Sequence, residues 1–143
     1  MILKPSENIQ LYGMSNYFNE ITTLYNKKKM PTKIMLSGKS GVGKSTLAYH
    51  IVNYILSKNE NFKYDSSNFI INRENRSFKL IQNNSHSNFY LIDLLNDKKN
   101  IDVNQIRQMI DYTNKSAFNN KPRFILIDNI ENLNKSSVNA LLK

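Results

Sequence analysis

The sequence predicts an α/β fold in which a parallel β-sheet is flanked by helices, and three observations predict it. Lys33-Ile34-Met35-Leu36-Ser37 is a short apolar run of the kind found in buried parallel strands. A glycine-rich turn follows at once, and from Ser45 to Ser57 the residues Leu47, Ala48, Ile51, Val52, Tyr54, Ile55 and Leu56 give a helix with a broad apolar face. A second apolar run, Phe124-Ile125-Leu126-Ile127, closes on an acid, Asp128, as strands that carry chemistry at their C-terminal ends do. Strand, turn and helix are contiguous, and this is the order of a parallel α/β unit.

The remaining elements follow from periodicity and caps. Met14 to Lys29 sets Tyr17, Phe18, Ile21, Leu24 and Tyr25 at helical spacing, and Lys27, Lys28 and Lys29 sit where cations favour a helix C-terminus. Met30-Pro31 breaks that helix. Between Asn59 and Asn100 a helix or hairpin is expected around Phe69 to Ile81, with a strand at Asn88 to Asp93. Asp102 is a good N-cap for a helix through Val103, Ile106, Met109, Ile110 and Tyr112. Ser136 to Lys143 is expected to be helical, with Val138, Leu141 and Leu142 on one face. No internal repeat or interdomain linker is visible, so residues 1–143 read as one domain.

The chemistry is concentrated in one motif. Gly38-Lys39-Ser40-Gly41-Val42-Gly43-Lys44-Ser45 fits the phosphate-loop pattern G-x-x-x-x-G-K-[ST] in full, between the strand and the helix that the pattern requires. Glycines let consecutive backbone N–H groups point at phosphate oxygens, and the positive end of the following helix reinforces them. Lys44 is expected to reach the β- and γ-phosphates, Ser45 to give its hydroxyl to Mg²⁺, and Thr46 to touch the α-phosphate. Asp128 is placed to hold the metal through its water shell. The next residue, Asn129, cannot act as a general base, and Glu131 is the fallback for that role. Tyr12 is a candidate to flank a base, with core packing as the alternative. His86 reads as a loop or packing residue, and the Lys27–Lys29 and Lys98-Lys99 runs read as solvated faces.

Composition narrows the classes. With no cysteine and only two histidines among 143 residues, a thiolate zinc site and a disulfide framework are excluded, so a metal must be held by oxygen ligands. No apolar run approaches the roughly 20 residues of a membrane-spanning helix, and Met1 to Gln10 does not read as a secretory signal, so the cytoplasm is expected. The net charge of +9 suits a polyanionic partner, although a sequence rich in Asn, Lys and Ile carries such a bias from composition alone.

Taken as a spaced set, these residues resemble a known family. Lys33 to Ala48, then Phe124 to Asp128, then Asn139-Ala140-Leu141-Leu142-Lys143 look like the AAA+ clamp-loader ATPases of DNA polymerase III, and Ile101 to Arg107 resembles the helix preceding their acidic strand. Ser85-His86-Ser87-Asn88-Phe89 is similar to a Ser-His-Pro segment of the delta-prime branch, with Ser87 in place of the proline. The resemblance implies an AAA+ phosphate-loop domain with a five-stranded parallel sheet, truncated before the helical lid. It implies ATP and Mg²⁺ as ligands. It also implies a hetero-oligomer with other clamp-loader subunits that places the sliding clamp on primed DNA. Asn129, where hydrolysing relatives carry Glu, favours the delta-prime branch, a stator with weak hydrolysis of its own. Many relatives carry a four-cysteine zinc module after the phosphate-loop helix, which this chain lacks. Many delta-prime subunits have a degraded phosphate loop, whereas this one is intact. The alternatives are a hydrolysing gamma-type motor subunit, another AAA+ ATPase, and a phosphate-loop small-molecule kinase.

Overall fold

Residues 3–96, 98–117 and 119–142 are described in a computed structural model. The chain divides into two compact units, Met1–His86 and Ser87–Lys143. The first is helical. Its helices are α1 (Ser15–Asn26), α2 (Lys44–Leu56) and α3 (Arg76–Gln82), preceded by a 3₁₀ turn at Pro5–Glu7. Phe18 of α1 is the centre of its core: its ring stacks on Tyr64 at 5.1 Å and meets Tyr54 and Phe69 edge-on, each at 5.5 Å. Leu47, Ile51, Val52, Ile55 and Leu56 bury the α2 face that periodicity marks. On α1 the buried stripe is Phe18 and Thr22, while Tyr17, counted on the apolar face in the sequence, is solvent-exposed.

The stretch after α2, where the sequence offers no thiolates, is held by polar side chains instead. Asn53 and Asn75 exchange two amide hydrogen bonds of 2.8 and 3.1 Å, and Asn75 also accepts from the Phe78 N–H to cap α3. Ser57 Oγ accepts from the Tyr64 N–H, and the Glu60 carboxylate accepts from both the N–H and the hydroxyl of Ser77. His86 lies 3.1 Å from that same hydroxyl, the packing role expected of it. Short antiparallel bridges join Gln10 and Asp65 to Ile70.

The second unit is a β-α-β arrangement. Strands β1 (Phe89–Ile92) and β2 (Phe124–Ile127) pair in parallel, Phe89 opposite Phe124 and Ile92 opposite Ile127, with α4 (Val103–Asn114) between them in sequence and α5 (Lys135–Leu142) after them. Ile92, Ile101, Ile106 and Met109 form its core, with Ile127, Leu133, Ala140 and Leu141 packed against it. Asp102 caps α4 as expected, accepting from the Gln105 N–H while the Gln105 side chain accepts from the Asp102 N–H. Arg123 donates to the carbonyls of Tyr112, Thr113 and Lys115, closing the other end of α4.

One expected strand does not form. Residues 33–37 take no regular secondary structure and join no ladder among the described residues, and Met35 is 77% exposed. The apolar run marks a segment able to be buried on both faces, yet a strand exists only where a neighbour takes its N–H and C=O groups. The implied five-stranded sheet is correspondingly two-stranded among the described residues. The last expected helical residue, Lys143, lies outside the described residues.

His50 of α2 is fully buried, with Nδ1 2.7 Å from the Tyr64 hydroxyl and Nε2 2.9 Å from the Asn8 carbonyl oxygen. Burial pushes its pKa below the ordinary value, outweighing the opposing bond to Asn8, so the folded protein holds a neutral ring. The unfolded chain then binds more protons than the folded one below about pH 6.5, and stability is lost as the pH falls through that value. Thermal melts from pH 8 to pH 5 are expected to fall on the acid side, and the fall is expected to be shallower in His50→Gln.

Candidate functional site

In the first unit the loop between residues 37 and 44 has three glycines of positive φ, Gly38 at 157° near the extended limit and two well inside the left-handed region, Gly41 at 86° and Gly43 at 100°. A Cβ built on either meets nothing within 4 Å, so backbone conformation rather than crowding requires glycine there. Gly43 is the N-cap of α2, and the Leu47 N–H bonds to its carbonyl at 2.9 Å. Helix geometry leaves the N–H groups of Lys44, Ser45 and Thr46 without intrahelical acceptors, and no side chain caps them among the described residues. Such a terminus is a ready anion site, carrying both free donors and the positive end of the helix dipole.

Lys44 donates from Nζ to the Gly38 carbonyl at 2.7 Å, tying the two ends of the loop together. Gly38, Lys39, Ser40, Gly41 and Val42 are exposed, and Gly43, Lys44, Ser45 and Thr46 are half-buried. The nine expected phosphate-loop residues are therefore contiguous around one open, cationic helix start. Tyr12 is 79% exposed, which rules out the core-packing alternative for it.

In the second unit the parallel register brings the C-terminal ends of β1 and β2 level. Asp93 follows β1 and Asp128 follows β2, with the Asp128 N–H bonded to the Ile92 carbonyl at 2.8 Å. Asp128 accepts from the Asn129 N–H at 2.9 Å. Asn129 itself stands in the left-handed region at φ 55°, a conformation Asn tolerates better than most residues, and donates from Nδ2 to Asp93 Oδ1 at 2.6 Å. That Asp93 oxygen also accepts from the Leu94 N–H, and the Asp93 carbonyl accepts from the Gln105 side chain. Glu131 lies in an exposed 3₁₀ turn, Ile130–Asn132. Sequence reasoning singled out Asp128 and Asn129 but missed Asp93. The signal was present: Phe89-Tyr90-Leu91-Ile92-Asp93 and Phe124-Ile125-Leu126-Ile127-Asp128 are the same apolar run ending in the same acid.

The family model described as DNA polymerase III, delta subunit matches residues 13–143. The chain belongs to the DNA polymerase III delta-prime subunit family. A curated relative, DNA polymerase III subunit delta′ of Buchnera aphidicola subsp. Schizaphis graminum (strain Sg), is 29% identical over 127 residues. That alignment covers 88% of this chain and 36% of the relative, so the chain spans about a third of the relative's length. The delta-prime branch resembled by the His86 segment is thus the branch the relative carries in its name. Among the described residues no helix is long and apolar enough to cross a membrane.

The glycine requirement at the N-cap has a measurable consequence. Gly43→Ala is expected to destabilise the chain by about 1–2 kcal/mol in chemical denaturation, since the added methyl meets no neighbour but opposes the positive φ.

Proposed function

We propose that the chain is the nucleotide-binding part of a clamp-loader subunit, holding ATP and Mg²⁺ while a cytoplasmic hetero-oligomer with other clamp-loader subunits loads the sliding clamp onto primed DNA. The observation that carries the reading is the uncapped start of α2 behind the glycine loop, with the Lys44 ammonium beside it. In this assignment the backbone from Gly38 to Gly43 wraps the phosphates, Lys44 neutralises the β- and γ-phosphates, and Thr46 touches the α-phosphate. Ser45 ligates Mg²⁺, and Asp128 holds the metal's water shell. The donor set suits a hard cation, which takes oxygen ligands and keeps most of its waters. Tyr12, exposed and before Gly13, is available to flank the adenine.

Isothermal titration calorimetry tests the loop. Lys44→Ala is expected to remove most ATP affinity, because the side chain expected to neutralise the β- and γ-phosphates is lost. Equal affinity for the two proteins refutes the assignment.

Hydrolysis is proposed to be near background. Holding MgATP needs Lys44, Ser45 and Asp128, but cleavage also needs a carboxylate that orients water, and position 129 offers an amide already bonded to Asp93. Asn129→Glu alone would set a carboxylate against the Asp93 carboxylate. Paired with Asp93→Asn, it keeps the hydrogen bond with its polarity reversed. In an assembled complex the double variant is expected to raise turnover at this site at least about tenfold, the scale of general-base effects. Steady-state turnover of several per second by the unmodified subunit would instead favour the gamma-type motor reading, to which the intact loop is suited, with Glu131 as the base.

A further inference from the structure

Between Glu20 and Glu60 the sequence holds seven lysines and no acid. Four of them, Lys27, Lys28, Lys29 and Lys58, meet where α1 and α2 end. Lys58 donates to Asn26 Oδ1 at 2.6 Å and lies 5.0 Å and 5.1 Å over the rings of Tyr25 and Tyr54, while Asn26 donates to the Tyr54 hydroxyl at 3.0 Å. These contacts hold Lys58 against the end of α1, a shoulder where it and Lys28 line an open concavity of about 390 Å³ with Tyr25, Asn26 and Met30, and Lys27 and Lys29, both exposed, flank Lys28 in the chain. Among the described residues none of the four has an acid within ion-pairing distance.

Cations at helix C-termini are favourable on their own, but that does not account for this arrangement. The turn leaving α1 is a Schellman motif, with the Lys29 N–H on the Leu24 carbonyl and the Lys28 N–H on that of Tyr25. Its left-handed residue is Lys28, at φ 58°, where glycine or asparagine is the usual occupant. The chain thus places a cation on a strained backbone position, next to three like charges and without a counter-charge. Backbone strain and unpaired charge together mark a surface whose partner supplies the negative charge.

We propose that this shoulder binds the phosphodiester backbone of DNA. Lysines are point charges suited to spaced phosphates, and the exposed, open concavity between a tyrosine and an amide suits a sugar-phosphate edge better than a buried peptide. The choice of DNA among polyanions rests on the replication role proposed above. The binding itself is independent of the nucleotide loop.

Fluorescence anisotropy of a labelled DNA duplex with the full chain, taken across a salt series, tests the proposal. Replacing Lys27, Lys28 and Lys29 by Gln is expected to weaken binding about ten- to hundredfold at moderate salt. The same change should lower the slope of log affinity against log salt by about 2 to 3, near 0.9 for each phosphate no longer neutralised. Lys28→Gly separates binding from folding: relief of the left-handed lysine raises the melting temperature while DNA affinity falls. ATP affinity measured on the same variants stays at the wild-type level, so failure of this proposal is distinguishable from failure of the nucleotide assignment. Unchanged affinity and slope in the triple variant overturn it. So does tighter binding of poly-glutamate than of DNA at equal charge concentration, which would make the shoulder a site for an acidic protein.

Discussion

A helix cannot satisfy its own first-turn N–H groups, and how this chain disposes of them organises the structure. Asn75 closes the start of α3, Asp102 and Gln105 close that of α4, and the Ser137 N–H in α5 bonds to Asn134 Oδ1 at 2.8 Å. Each such cap stabilises by about 1 kcal/mol. At α2 the same donors are left to solvent, because the preceding residue is a glycine in left-handed conformation with no side chain to offer. An uncapped terminus directly behind a glycine turn forgoes local stability, and an anion can recover it. That exchange distinguishes α2 from α1, which also starts uncapped at Met14, behind the single positive-φ Gly13, but has no glycine-rich loop before it and no lysine opening its first turn.

The helices were legible in the sequence for reasons that are local. The α2 face shows seven apolar residues at helical spacing, and the capping box of α4 is written in Asp102 and Gln105 three positions apart. Strands β1 and β2 were legible because four consecutive apolar residues end in an acid in each. What escaped the sequence is non-local. Residues 33–37 have the composition of a strand, but pairing depends on a neighbour that no pattern within five residues specifies. The polar network of Asn53, Ser57, Glu60, Asn75 and Ser77 escaped for a related reason. Its members are ordinary surface residue types whose burial follows only from contacts 7 to 22 positions apart.

At the candidate site, the turn before α2 was readable because it depends on backbone conformation, and glycine spacing encodes that directly. Asp93 was not readable as a site residue, because nothing in a single strand says which other strand will lie beside it. Parallel pairing at the observed register supplies the missing information. Once Ile92 stands opposite Ile127, the two following aspartates must share one edge of the sheet.

That shared edge constrains what position 129 can be. Two carboxylates about 4 Å apart repel by about 4 kcal/mol at an effective dielectric near 20. A glutamate after Asp128 would add a third acid beside Asp93. Asparagine removes that cost twice over: its amide donates to Asp93 at 2.6 Å, and its tolerance of left-handed backbone fits the turn at φ 55° that leaves β2. The same substitution removes a general base. Asparagine at position 129 thus suits the packing of two parallel strands whose ends bring two acids to one edge, and it is also a side chain that cannot act as a general base.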